Sequence, residues 1–427
     1  MFQTATTRGK DMNKRSWYLI SLFNLAIVAL LGSSLRSKIL FSVPWIVHKN
    51  FINAHSHFAF GGWITLSFLA LFTYSILPEE KRNRPFYQQM LWGIEVSSLG
   101  MLFSFPFQGY GGISIFFSTT FIFFTYGYAW RFIKDVYKSP RTGPGLFLAV
   151  AALAYLVISS AGPFTLAYIL ASKSSNAILY KDSVYFYLHF QYNGFFTLAV
   201  FALFATRMTD SLKNNVEVRR FAKILAASVV PSFFLTLLWH SGNFTVRALA
   251  FIAVILLVAC FIYFIRVVKL KPVVQSFQDP LARILCRLVF VSFALKIILQ
   301  IGTVFPDLGN AVFGLRPIII GFLHLVFLGL ASFYVLSEYT ERGVFQMKKA
   351  LTGVAWGGFI LAVIGQETVL LVQGAGLLTG RSSPVFNWIL WIISILLFLF
   401  AVLMTISASG SSPGFYLKRN SRHGINL

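Results

Sequence analysis

Asn53-Ala-His55-Ser-His57-Phe-Ala-Phe-Gly-Gly-Trp63 sets two histidines at the mouth of an apolar run that continues to Leu77 and stops at Pro78-Glu79-Glu80. About 20 such residues cross a bilayer as a helix. An imidazole in hydrocarbon is costly unless it is paired, solvated or ligated, so it marks a functional candidate. Three more histidines fall inside apolar runs: His189, His240 and His324.

The rest of the chain repeats the pattern of that run. Of 427 residues, 57% are hydrophobic and 11% charged, and the mean hydropathy is +0.73. Apolar runs bounded by charge or by Pro/Gly clusters predict twelve spans, near 16–36, 54–77, 88–107, 112–134, 145–170, 184–206, 222–241, 245–266, 284–304, 315–337, 350–374 and 386–408. The expectation is an all-α membrane protein, residues 1–427 forming one polytopic domain in the lipid bilayer. No repeat is evident, and the N-terminal run is too long for a cleaved signal peptide. Cys260 and Cys286 have neither disulfide nor metal spacing and read as packing residues.

A net charge of +23 raises the possibility of nucleic-acid binding, but the charge is spread over short loops between spans, so no nucleic acid is expected. Of the lysines and arginines, 27 fall at the N-terminus, in the even-numbered loops and at the C-terminus, against eight in the odd-numbered loops. Positive loops stay on the cytoplasmic side, which predicts cytoplasmic termini. The chain carries no Gly-rich phosphate loop, no paired Asp-x-Asp and no Ser-His-Asp arrangement, which argues against an ATPase or hydrolase.

On this topology His57, His189, His240 and His324 are expected at one depth, in the outer half of the membrane, where a shared haem or metal would explain them. His55 and His57 are two residues apart, about 200° around a helix, so only one faces a shared site. The other is expected at the headgroup level or in the loop.

Histidines on the second, sixth, seventh and tenth of twelve spans resemble the catalytic subunit of the haem–copper oxidase superfamily, most closely its nitric oxide reductase branch. Tyr74-Ser-Ile-Leu-Pro78-Glu79-Glu80 and His324-Leu-Val-Phe-Leu-Gly329 are similar to segments of that branch. The resemblance implies a twelve-transmembrane-helix bundle of the cytochrome c oxidase subunit I-like type in a bacterial inner membrane. It implies a low-spin haem b held by His57 and His324, since counting back from Pro78 selects His57 over His55. Arg247, Arg316 and Arg381 lie on the outer loops, where arginines would pair with haem propionates, and the resemblance makes Arg381, between the last two spans, the first choice. His189 and His240 would remain for copper or non-haem iron. The sequence departs from the family in three places: Phe322 replaces the high-spin haem ligand, Ser241 follows His240 where a second histidine belongs, and Asn193 stands where the family has Tyr or Glu, with Tyr192 one residue early.

The expected function is a redox or gas-ligand role with nitric oxide or oxygen, its catalysis degraded by the incomplete ligand set. With no cytochrome c motif, electrons would come from a partner subunit or from quinol. Glu367, beside Gln366, is expected near the histidine level, relaying protons or bonding a ligating imidazole. Glu95 and Lys296 mark a proton path or pair with each other. The competing expectations are a proton-coupled secondary transporter without haem, to which intramembrane His and Glu would be suited, and a receptor or assembly factor with no metal.

Overall fold

The computed structural model describes residues 2–138, 142–270, 275–345 and 350–409, apart from the side chains of 2–13, 306, 307, 311 and 313. Arg141, Lys271, Lys348, Lys349, Lys418, Arg419 and Arg422, counted above among the cytoplasmic cations, lie outside the described residues. Twelve helices are long and apolar enough to cross a bilayer, and no strand occurs among the described residues. The chain is a multi-pass membrane protein. Spans 1 to 12 are Lys14–Leu40, His48–Ser75, Pro85–Gln108, Gly112–Tyr137, Pro144–Ala171, Ala177–Arg207, Val216–Leu237, Phe244–Lys269, Pro280–Gly302, Arg316–Glu341, Ala350–Leu378 and Val385–Ser409.

Several ends differ from expectation, among them the end of span 1 at Leu40 and the start of span 7 at Val216. Span 2 begins at His48 because His48, Lys49, Asn50 and Asn53 are helical although polar. Span 6 begins at Ala177, where Asn176 Oδ1 accepts from the Leu179 amide at 2.9 Å and so caps the helix. Span 7 tightens after Pro231 into a 3₁₀ turn, Phe234–Leu237, and ends there.

Span 1 packs on span 12, closing a ring, and spans 2 and 6 are the most completely enclosed. Spans 2, 6 and 10 meet at the centre, and each carries one π-helical stretch: Ala59–Thr65, Phe190–Phe196 and Leu325–Ser332. Wide turns of this kind are rare and concentrate at functional sites. Phe60, Phe196 and Phe327, one from each stretch, touch pairwise with ring centroids 4.7–5.8 Å apart. Trp63 Nε1 donates to Ser332 Oγ at 2.8 Å, tying span 2 to span 10. Gly194 is required by close approach: a Cβ there would lie 2.6 Å from Tyr155 Cβ on span 5. A structural device thus recurs every fourth span although the sequence shows no repeat.

The face carrying the even-numbered loops, here the terminal face, is held by buried charge that the sequence did not single out. Glu338 accepts from Arg207 Nη1 (2.9 Å), Arg342 Nη2 (2.9 Å) and Tyr334 OH (3.0 Å). Arg342 also donates to Ser75 Oγ at 2.8 Å, so spans 2, 6 and 10 are joined at one knot. Glu341 accepts from the backbone amides of Gln278 and Asp279. Asp135 gathers Arg84, Arg131 and Tyr87 between spans 3 and 4.

Glu95 and Lys296 do not pair. Glu95 accepts from Asn24 Nδ2 at 2.8 Å, and Lys296 donates to Gln300 Oε1 at 3.3 Å, one turn along its own helix. Cys260 and Cys286 are buried free thiols.

Candidate functional site

Because span 2 starts at His48, His55 and His57 both lie within it, and neither is in a loop. They face opposite neighbours, as their spacing demands. His55 turns to span 1, where Nδ1 lies 3.1 Å from the Val28 carbonyl. Its Cε1 would be 3.3 Å from a Cβ placed on Gly32, one turn further along the same face. His57 turns to span 3. It stacks on Phe105 (4.5 Å, 14°), and Nε2 is 3.0 Å from Tyr110 OH.

The bonding partners fix the tautomers, since a carbonyl oxygen only accepts. His55 Nδ1 is therefore the protonated nitrogen. His324 is arranged in the same way, its Nδ1 donating to the Ile320 carbonyl at 2.7 Å. In both rings the Nε2 lone pair is left without a hydrogen-bond partner among the described residues. The two rings are within electrostatic reach of each other and of Arg36. A ring nitrogen donated to a backbone carbonyl is the usual outer support of a metal-ligating histidine. Packing around them is open: no residue of Arg316–His324 is fully buried, whereas all but two of the eight residues of the π stretch Leu325–Ser332 are.

His189 has the other tautomer and no such freedom, and His240 has its Nε2 taken by a carboxylate. His189, fully buried, donates from Nε2 to the Val229 carbonyl at 2.8 Å. Its Nδ1 is then the acceptor, facing Asn193 Nδ2 at 3.1 Å. Asn193 at i+4 thereby receives a physical account: its amide satisfies the second nitrogen of a buried imidazole. His240 lies in the turn beyond span 7, not at the depth of the others, and its Nε2 meets Asp182 Oδ2 at 2.9 Å. Among the described residues no three His, Cys, Asp or Glu side chains group as a metal site. The residues proposed for copper or non-haem iron do not fit that role.

Tyr192 stands between two rings, edge-on to His189 (5.9 Å) and to Phe322 (5.6 Å). Glu367 lies on span 11. A Cβ on Gly374 would meet Ile318, and one on Gly321 would meet Leu370, which fixes the antiparallel register of spans 10 and 11. That register sets Glu367 level with His324, with its Oε1 buried and without a hydrogen-bond partner among the described residues.

Arg381 is exposed in the turn after span 11, its backbone amide bonded to the Gly376 carbonyl. The guanidinium within electrostatic reach of the imidazoles is Arg36. It reads from sequence as a loop cation, but span 1 remains helical to Leu40, which leaves Arg36 one turn above Gly32. The signal in the sequence was the Val28–Gly32–Arg36 spacing.

The chain matches no protein-family model and no curated protein sequence.

Proposed function

We propose that this chain is a haem-binding membrane protein of the haem–copper oxidase subunit I type, in which His55 and His324 would hold the iron of a b-type haem. The observation that carries the reading is the matched pair of imidazoles, on different helices and within electrostatic influence of each other, each with Nδ1 tied to a carbonyl and Nε2 open. Two nitrogens suffice because a porphyrin brings the other four, and imidazole suits iron. The bound group would supply one-electron redox chemistry and affinity for nitric oxide or oxygen. The protein's own part is to hold both rings in one tautomer, and to enclose them in a bundle whose aromatic centre excludes water.

His55 replaces His57 in this reading because the His57 Nε2 is engaged by Tyr110. No second metal and no reduction step at a binuclear centre is derived, since His189 has both nitrogens bonded and His240 is paired with Asp182. The site then suits electron transfer or gas binding, with electrons from a partner subunit or quinol. The loop charges favour both termini in the cytoplasm, and the resemblance implies a bacterial inner membrane.

The test is an absorption spectrum of the purified, dithionite-reduced protein. Sharp α and β bands are expected in wild type and in His57→Phe, and their loss in His55→Ala and in His324→Ala. A colourless wild-type protein that moves a solute would instead favour a proton-coupled transporter, for which the buried ionisable groups Lys296 and Glu95 are the supporting observation.

A further inference from the structure

Spans 1, 2 and 3 meet through one buried amide. Asn24, 1% exposed, donates from Nδ2 to the Gly62 carbonyl at 2.7 Å and to Glu95 Oε2 at 2.8 Å, so oxygens from two neighbouring helices are drawn to one point. The Oδ1 of the same amide is buried and has no hydrogen-bond partner among the described residues. Gly62 lies in the π stretch of span 2, and Gly61 beside it lets span 3 approach the bare backbone: a Cβ there would lie 2.6 Å from Ser98 Oγ. Ser98 follows Glu95 by three residues and so shares its face. Its hydroxyl donates to the Ile94 carbonyl at 2.7 Å, which leaves the oxygen able to accept.

The depth of this cluster makes its charge expensive. Asn24 and Glu95 each lie about ten residues inside the terminal-face end of their spans. That is about 15 Å along a helix, near the middle of a hydrocarbon layer about 30 Å thick. Glu95 is 3% exposed, and among the described residues it accepts one bond, from Asn24, and pairs with no Lys, Arg or His. A carboxylate at that depth requires a compensating positive charge. A proton would cancel the charge yet leave the Asn24 Oδ1 unbonded, because Nδ2 is the end that faces the carboxylate. A hard metal cation answers both needs, since it takes oxygen from amide, carboxylate and carbonyl alike. One carboxylate balances a monovalent ion, whereas a divalent ion would leave a buried excess of charge. Ser21, one turn nearer the terminal face than Asn24, bonds the Tyr339 hydroxyl at 2.7 Å and extends the polar lining toward that face.

We infer that Asn24, Gly62, Glu95 and Ser98 form a binding site for a sodium ion at the junction of spans 1, 2 and 3. The ligands are the Asn24 Oδ1, the Gly62 carbonyl, the Glu95 carboxylate and the Ser98 hydroxyl. A single amide nitrogen bridges Gly62 to Glu95, and so narrow a gap selects sodium over the larger potassium ion. Because the four ligands belong to three helices, a bound ion ties the π stretch of span 2 to spans 1 and 3 and stabilises the folded bundle by mass action. The ion needs none of the imidazoles, so the site stands whether or not the chain holds a haem.

The experiment melts the purified full chain in detergent with sodium, potassium or choline chloride at one ionic strength, at pH values on both sides of neutrality. Sodium at about a hundred times its dissociation constant should raise the wild-type midpoint by about 3 °C over choline. Potassium should raise it less. Glu95→Gln keeps an acceptor for the Asn24 amide but removes the charge, and it should abolish the sodium shift, as should Asn24→Leu. Glu79→Gln, which alters an exposed carboxylate, should retain the shift in full. Equilibrium binding of radioactive sodium reads the site without a melt: one ion per chain is expected in wild type and none in Glu95→Gln. A wild-type midpoint indifferent to sodium at every pH would overturn the site. So would equal sodium shifts in wild type and Glu95→Gln, because the salt then acts elsewhere. A larger shift with potassium would overturn sodium as the ligand.

Discussion

Replacing Glu338 by glutamine tests whether spans 2, 6 and 10 are locked together at the terminal face. The carboxylate is 1% exposed and lies 2.9 Å from both Arg207 and Arg342. At an effective dielectric constant of about 20, each such contact is worth about 6 kcal/mol of attraction, much of it offset by desolvation. Removing one partner of a buried ion pair costs about 3–5 kcal/mol. Arg207 keeps Glu341 at 3.4 Å, and both guanidiniums touch solvent, so the lower figure applies. Unfolding entropy of about 2.1 cal/mol/K per residue over 427 residues converts about 3 kcal/mol into a melting shift of about 3 °C. The assay is thermal unfolding in detergent, followed by tryptophan fluorescence. Glu79→Gln, which removes the exposed partner of Arg82, should shift the melt by less than about 1 °C. Adding Arg207→Met to Glu338→Gln should cost less than the two single changes summed, because the residues share one network. A Glu338→Gln protein that melts with wild type, or no lower than Glu79→Gln, would refute the claim that this knot holds the central helices.

Two further changes probe the centre of the bundle. Asn193→Leu leaves the His189 Nδ1 acceptor buried and unbonded, which should cost about 1–3 kcal/mol, read as a lower melting temperature; an unchanged melt would mean that the amide does not satisfy this ring. Gly194→Ala brings a methyl within 2.6 Å of Tyr155 Cβ and should cost a similar 1–3 kcal/mol by forcing spans 5 and 6 apart. Stability equal to wild type would show that the close approach at the second π stretch is absent.

Much of the fold was legible before any coordinates. Twelve apolar runs punctuated by Pro78, Pro144, Pro280 and clusters of charge are a direct consequence of bilayer thickness, and all twelve helices appear. The ends were less legible, because a helix continues through polar residues once its first turn is capped, as at Asn176, or supported, as at His48 to Asn53. Of the four histidine-bearing spans that the sequence marks, 2, 6 and 10 each carry a π stretch, and span 7 ends instead in a 3₁₀ turn. Nothing in composition announced those stretches. One residue added to a turn shifts the helical phase by about 100°, but a span that is apolar all round has no stripe to reveal the shift, and the glycines that accompany it are common in membrane helices.

The choice between His55 and His57 illustrates the boundary. Spacing on one helix established that the two rings oppose each other, but not which neighbour each would meet. That was decided by the Val28 carbonyl on span 1 and the Tyr110 hydroxyl beyond span 3. Likewise His189 and His324 are equivalent as letters, and only the Val229 and Ile320 carbonyls give them opposite tautomers and leave one lone pair free. Sequence by itself determined how many times this chain crosses the membrane and which residues are too polar to lie there without a reason. Tertiary structure decided what each of those residues is bonded to, because the hydrogen-bond partners of a buried side chain sit on helices that are distant along the chain and adjacent only once the bundle has closed.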